Sequence, residues 1–132
     1  MNELKIGTEN TVCFTVSQAL TAFSMQSGTL EVLATPAVSA FMEKAACELV
    51  QPSLAEGMTT VGTMISLEHL SASPVGAEIT AKAVLTAVDG RKYSFDIFAY
   101  DKAGLIAQGK HERFSIYAEK FMQKTQSKFG KE

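Results

Sequence analysis

The sequence has no marked excess of either charge and no long apolar run. Lysine and arginine total 12 against 14 aspartate and glutamate, which gives a formal net charge of −2. Nucleic-acid-binding domains usually carry a basic excess, so this balance argues against that class. No run reaches the roughly 18 apolar residues of a membrane span, so the sequence predicts no transmembrane helix.

Cysteine is scarce as well, with Cys13 in a predicted strand and Cys47 in a predicted helix. Because no metal-ligand spacing accompanies them, they indicate free thiols in a reducing compartment. The first residues lack a basic region followed by an apolar one, so we expect no signal peptide and a cytoplasmic location. The sequence also lacks a glycine-rich phosphate loop and a convincing metal-ligand set, and we predict no metal and no cofactor.

The chain contains enough hydrophobic residues to form a buried core. The chain has 132 residues, 46% of them hydrophobic, and we expect a single domain over residues 1–132. Alternation and turn signals predict strands over residues 11–17, 58–72, 79–87, 91–100 and 105–117, and a short polar helix over 118–128. One long helix after the first strand, then four strands joined by tight turns, predicts an antiparallel sheet with the helix on one face.

The strongest local pattern begins at Thr35-Pro36, which is a helix start signal. Threonine caps free N–H groups, and proline is tolerated at the first helical position. An apolar stripe with helical spacing follows, formed by Val38, Phe41, Met42, Ala45, Ala46 and Leu49. We predict an amphipathic helix over residues 36–51. Its other face, with Ala40, Glu43 and Cys47, suits contact with a partner subunit.

Three polar side chains stand out in otherwise apolar segments: Thr35, Glu43 and His69. A hydroxyl, a carboxylate and an imidazole are the groups that thioester hydrolysis requires. Each also has an ordinary interpretation, as a helix cap, a solvated carboxylate and a structural histidine. Glu43 lies about 12 Å along the helix axis from Thr35, so only the fold or a partner chain can unite the three.

Longer segments around these residues resemble one known family. Residues 31–47, 62–76 and 109–113 resemble the active-site helix, the following strand and the last strand of fluoroacetyl-CoA-type hotdog thioesterases. The resemblance extends over residues 5–125. It implies an α+β hotdog fold, in which a five-stranded antiparallel sheet wraps a long central helix.

The resemblance also implies a site and a reaction. Thr35, Glu43 and His69 match the family's catalytic group, and Gly62 and Arg113 match positions that line the acyl end of its pocket. The implied substrate is a small acyl-CoA, hydrolysed to free acid and CoA. The implied assembly is a homodimer with active sites at the subunit interface. The residues leave open whether Thr35 or Glu43 is the nucleophile or only positions water.

One position departs from the family pattern. The fluoroacetate-specific enzyme carries bulky aromatic residues in the loop before the helix, as a gate over the acyl group. Here residues 24–40 contain no aromatic side chain, and Thr29 stands where the gating phenylalanine is expected. We therefore expect no strong preference for fluoroacetyl-CoA over acetyl-CoA.

Two other functions fit the same scaffold: a non-catalytic acyl-CoA-binding module, and a hydratase or dehydratase that acts on the acyl carbons. The three polar residues at family spacing favour the thioesterase over both. The second histidine, His111, is predicted to be structural and oriented by a neighbouring carboxylate. Arg113, if buried, requires a partner for its charge.

Overall fold

The fold is seen in a computed structural model that describes residues 4–130. Its strands and α-helices, in chain order, are β1 (Glu9–Thr15), α1 (Thr35–Val50), β2 (Met58–His69), β3 (Glu78–Asp89), β4 (Lys92–Asp101), β5 (Gly104–Tyr117) and α2 (Ala118–Gln126). Short 3-10 helices lie at Gln18–Leu20 and Gln51–Ser53. Within these residues, no helix is long and apolar enough to cross a membrane.

The five strands form one antiparallel sheet in the order β1-β3-β4-β5-β2. The β3–β4 turn contains Gly90, whose φ of +61° lies in the left-handed region that glycine adopts without strain. Helix α1 packs across the sheet and contacts every strand, most extensively β3 and β1. A five-stranded antiparallel sheet around one long helix confirms the predicted α+β hotdog fold.

The apolar stripe of α1 faces the core, as its spacing predicts. Val38, Met42, Ala45 and Ala46 are completely buried. Phe41 is half-buried and stacks on Phe14 of β1 with ring centroids 3.8 Å apart. This packing fixes both the position of α1 over the sheet and the direction in which its polar face points.

Several element boundaries differ from the sequence-based ones. Strand β1 covers residues 9–15 rather than 11–17. The regular ladder ends at Val16, because its carbonyl accepts from the N–H of Gly76 while the N–H of Ala77, the residue opposite, donates to the Pro74 carbonyl. Strand β2 ends at His69 rather than at residue 72. There the N–H groups of Leu70 and Ser71 both donate to the Ile106 carbonyl, which turns the chain.

The predicted helix cap is wrong. Helix α1 begins at Thr35, so Ala34 is the N-cap residue, and no side chain caps the helix. Proline occupies the second helical position. The Thr35 hydroxyl therefore does not cap the helix and is available for a hydrogen bond to another group.

Strands β2 and β5 approach each other unusually closely at Gly109. A Cβ atom at this position would lie 1.9 Å from the backbone oxygen of Ser66 and 2.7 Å from the Cα of Leu67. No side chain fits there, so glycine is required. The close approach lies just before the end of β2, where His69 pairs with Ala107.

Candidate active site

Thr35 and His69 form a hydrogen-bonded pair. The Thr35 Oγ1 lies 2.8 Å from the His69 Nδ1, which joins the first residue of α1 to the last residue of β2. Both side chains line a hollow of about 210 Å³ that is also bordered by the loop before α1 and by Ser71. The structure thus unites two of the three catalytic candidates within one chain.

The surroundings of His69 favour its neutral form. Burial lowers the pKa of its imidazole below the ordinary value of 6.5, and the backbone of Ser71 opposes part of that shift. Its Nε2 is buried and has no hydrogen-bond partner among residues 4–130. A buried polar atom without a partner is costly, so a hydrogen bond from this nitrogen to a ligand would be favourable.

The start of α1 offers a backbone donor beside this pair. The N–H groups of Ala37 and Val38 both donate to the Ala34 carbonyl, and Pro36 has no N–H. Among residues 4–130 the Thr35 N–H also has no hydrogen-bond acceptor, and it lies at the positive end of the helix dipole, where a developing negative charge is stabilised.

Glu43 lies in a different place, two helical turns along α1. Its Oε2 accepts a hydrogen bond from the Ser39 hydroxyl at 3.1 Å. Its Oε1 lies 3.2 Å from the position that a Cβ atom at Gly62 would occupy. One carboxylate oxygen is thus fixed by Ser39, and the other faces the space left by the missing side chain of Gly62.

Arg113 borders the same space from the opposite side. Its Nη1 lies 3.3 Å from the Cβ position at Gly62. The side chain is 8% exposed, and its Nε donates to the Thr60 hydroxyl at 2.8 Å while Nη2 donates to the Thr60 carbonyl at 3.0 Å. No carboxylate oxygen in the described part of the chain lies within 4.0 Å of the guanidinium. We expected a buried Arg113 to have a partner for its charge. The groups that it contacts are neutral hydrogen-bond acceptors, not a carboxylate.

His111 is a further neutral contact of Arg113. It is 1% exposed, its Nδ1 lies 2.8 Å from the Met64 carbonyl oxygen, and its Nε2 lies 3.2 Å from the Arg113 Nη1. The prediction that a carboxylate orients this imidazole is wrong, because a carbonyl and a guanidinium hold it. We call Glu43, Gly62, His111 and Arg113 the glutamate–arginine cluster.

The Thr35–His69 pair and the glutamate–arginine cluster are separate within one chain. Thr35 and Glu43 are eight residues apart on α1, about 12 Å at 1.5 Å per residue. Gly62 and His69 are seven residues apart on β2, about 23 Å at 3.3 Å per residue. One protomer therefore cannot place all three catalytic candidates around a single thioester carbonyl.

Within the part of the chain that the structure describes, no aromatic side chain lines the Thr35–His69 hollow. Thr29 is solvent-exposed, and Phe23, the aromatic residue that the loop contains, is 61% exposed. The loop is closed by hydrogen bonds from the N–H groups of Ala22 and Phe23 to the carbonyls of Val32 and Leu30. This geometry agrees with the absence of an aromatic gate in the sequence.

Comparison with known proteins places the chain in a family. The family model for fluoroacetyl-CoA-specific thioesterases matches residues 16–119. The fluoroacetyl-CoA thioesterase of Streptantibioticus cattleyicolor is 38% identical over 98 residues, which cover 74% of this chain and 70% of that protein. The chain belongs to the fluoroacetyl-CoA-specific thioesterase family. It is therefore a thioester hydrolase, as the sequence predicts.

Solved structures of this family superpose closely on the chain. One structure of a fluoroacetyl-CoA thioesterase is 32% identical with a TM-score of 0.92, and covers 96% of this chain and 98% of its own. A variant of such an enzyme in complex with fluoroacetate and CoA is 32% identical with a TM-score of 0.85, over 89% of this chain and 99% of its own.

Sequence reasoning missed two members of the site, Ser39 and Thr60, and it also missed the contact of His111 with Arg113. The last had a usable signal, because alternate residues of a strand share a face and His111 precedes Arg113 by two. Thr60 had no such signal. Its contact with Arg113 depends on how β2 and β5 pair, which the sequence alone does not give.

Proposed function

We propose that the protein is an acyl-CoA thioesterase that hydrolyses a small acyl-CoA to free acid and CoA at a Thr35/Glu43/His69 site. The observation that carries this proposal is the Thr35–His69 hydrogen bond beside a free backbone N–H at the start of α1. The CoA complex of a family member supports acyl-CoA as the substrate class.

In this proposal the Thr35–His69 pair activates the carbonyl. The Thr35 hydroxyl donates to Nδ1, which places the imidazole proton on Nε2. Neutral His69 then donates from Nε2 to the thioester oxygen, and the Thr35 N–H is a second donor. Donors fixed in advance on a developing oxyanion are a large source of rate acceleration. The lowered pKa of His69 suits this task, because it keeps the ring neutral.

Glu43 supplies the base. Its carboxylate takes a proton from water, and the hydroxide attacks the carbonyl carbon to form a tetrahedral intermediate. The C–S bond breaks as that intermediate collapses, and the proton passes from Glu43 to the departing sulfur, which leaves as the CoA thiol. Gly62 and Arg113 border the acyl end in this arrangement, because the missing side chain of Gly62 leaves room beside both Glu43 and Arg113.

The acyl group is expected to be small without a marked preference for fluorine. Thr29 in place of an aromatic gate, and the solvent-exposed loop around it, support this. We also infer a cytoplasmic location, which the two free thiols of Cys13 and Cys47 support.

The functional unit in this proposal is a homodimer with active sites at the subunit interface. Its main support is the separation of the Thr35–His69 pair from the glutamate–arginine cluster within one chain. The outer edge of β2 has no strand partner among residues 4–130, and Met64 and Ile65 on it are 39% and 37% exposed. An isologous partner would cover this edge and bring its own cluster to the pair.

The requirement that the two halves of the site meet determines how the two β2 strands would pair. An antiparallel pairing about a two-fold axis between Ile65 and Ser66 sets His69 of one protomer opposite Gly62 of the partner subunit. Each composite site then takes Thr35 and His69 from one chain and the glutamate–arginine cluster from the other.

A thiol-release assay with acetyl-CoA, fluoroacetyl-CoA and short, branched and aromatic acyl-CoAs tests the reaction. We expect release with short acyl groups and comparable rates for acetyl and fluoroacetyl thioesters. Binding without thiol release indicates the non-catalytic module, and hydration or dehydration of an enoyl or hydroxyacyl thioester indicates the hydratase class. A rate ratio of several hundred in favour of fluoroacetyl-CoA contradicts the proposed specificity.

Mixing inactive variants tests the shared site. Glu43→Ala and His69→Ala chains, co-refolded in equal amounts, form heterodimers with one intact composite site. Random pairing makes half of the dimers heterodimers, so we expect about a quarter of the parent activity to return. The matched control mixes Thr35→Ala with His69→Ala, which belong to the same pair, and recovers nothing. A site built within one chain gives no recovery in either mixture.

A further inference from the structure

His111 is the buried titratable group that the proposed mechanism does not use. Its surroundings determine its protonation. Arg113 has only N–H donors and no acceptor, so the hydrogen bond between Nη1 and the His111 Nε2 requires Nε2 to be the acceptor. The imidazole proton must then be on Nδ1, where it is donated to the Met64 carbonyl.

Arg113 depends on this acceptor because it has few others. Thr60 satisfies one N–H on Nε and one on Nη2, and His111 satisfies one on Nη1. Each terminal nitrogen keeps one further N–H. The direction of the free N–H on Nη1, which borders the space at Gly62, is therefore fixed by the bond that the same nitrogen makes to His111.

We infer that His111 is a positioning residue for the acyl end of the site: as a neutral Nδ1–H tautomer it holds the Arg113 guanidinium toward the space at Gly62. The inference rests on the proposed role of Arg113. Burial lowers the pKa of His111, the Arg113 charge lowers it further, and the Met64 carbonyl, Glu43 and Glu112 oppose this. The ring is thus neutral near neutral pH, as an acceptor must be.

Two substitutions separate this role from simple packing. His111→Gln places an amide oxygen near the Nε2 position and preserves an acceptor for Arg113. His111→Asn reaches only the Nδ1 position, so it preserves the donor to Met64 but leaves Nη1 without its acceptor. We expect kcat/KM for acetyl-CoA to fall about tenfold or more in the Asn variant and no more than about threefold in the Gln variant. A purely structural role makes both variants less stable and leaves kcat/KM per folded molecule unchanged, which overturns the inference.

Arg113→Met distinguishes failure of the inference from failure of the proposed function. If Arg113→Met lowers kcat/KM and both His111 variants equal the parent, the inference is wrong and the proposed function stands. If Arg113→Met is itself without effect, the role of Arg113 at the acyl end is wrong, and the inference falls with it.

The tautomer is measured without any activity. The chain has two histidines, so the ¹⁵N NMR spectrum of the imidazole nitrogens contains two sets of signals, and the His111→Gln variant assigns them. We expect His111 to carry its proton on Nδ1 at neutral pH, with Nε2 unprotonated. A proton on Nε2 of His111 excludes the bond to Arg113 and overturns the inference, whatever the hydrolysis rates are.

Discussion

Thr35 directs its hydroxyl at an imidazole, and the helix start is left without a side-chain cap. Thr35→Ala should therefore cost about 1 kcal/mol for the lost hydrogen bond. Turnover should fall about 10²-fold, because in the proposed mechanism the Thr35 hydroxyl keeps the imidazole proton of His69 on Nε2. Thr35→Ser keeps the hydroxyl and should keep much of the rate. Steady-state kinetics with urea unfolding test this, and an alanine variant as fast as the parent shows that the hydroxyl has no part in the reaction.

Gly62 matters for the space it leaves. A methyl group there would lie 3.2–3.3 Å from Glu43, Arg113 and His111 side-chain atoms, which are able to shift by a few tenths of an ångström. Gly62→Ala should therefore change the free energy of unfolding by no more than about 1 kcal/mol. It should lower kcat/KM about tenfold or more, and more for propionyl-CoA than for acetyl-CoA. Equal losses for both acyl groups contradict a place for Gly62 at the acyl end.

The pairing of β2 with β5 depends on a second glycine, Gly109, which faces backbone atoms where Gly62 faces side-chain atoms. At Gly109 the atoms that a methyl group would meet belong to the backbone of Ser66 and Leu67. They cannot move without breaking the ladder, so Gly109→Ala should lower the free energy of unfolding by more than about 3 kcal/mol. Gly62→Ala, on the same two strands, is the matched control. Equal urea midpoints for the two variants would contradict the expectation that a methyl group is far more costly at Gly109 than at Gly62.

The sequence pattern predicts the position of helix α1, but it does not predict how strands β2 and β5 pair. The spacing of Val38, Met42 and Ala45 was sufficient to place α1, because a helix is stabilised by contacts three and four residues apart. The close approach at Gly109 and the bonds of Thr60 to Arg113 depend on the register between strands about fifty residues apart. Local pattern does not determine such a register, so the composition of the glutamate–arginine cluster emerged only from the fold.

For the same reason, the fold brings only some of the predicted site residues into contact. Family spacing pointed to Thr35 and His69, and the fold joins them. It also pointed to Glu43, yet the fold sets Glu43 beside Gly62 and Arg113 instead. The spacing of residues along the chain can point to candidate residues. Only the three-dimensional packing determines whether those residues lie in one place, in two places or on two chains.

At the scale of the whole molecule, both histidines make stability depend on pH. The pKa values of His69 and His111 lie below the ordinary 6.5, and burial is the main cause for each. The unfolded chain therefore binds more protons than the folded one just below pH 6.5. The stabilisation is complete above that pH and is lost as the pH falls through the two folded-state pKa values.

Urea unfolding at about pH 7.5 and about pH 5.5, at one protein concentration, measures this dependence. We expect a lower free energy of unfolding at the acidic pH, and a smaller difference in the His111→Gln variant, which lacks one of the two groups. Equal values at both pH values in the parent protein contradict the expectation.

The outer edge of β2 has a consequence beyond catalysis. Strand β2 is twelve residues long, and every second residue presents its backbone N–H and C=O groups at this edge, with Met64 and Ile65 exposed near the centre. An open edge of this length pairs readily with any extended chain, including an incompletely folded copy of itself. The contact that we propose to complete the site would thus also shield the protein from aggregation. Selection against aggregation would preserve that contact even in a descendant that had lost its enzymatic activity.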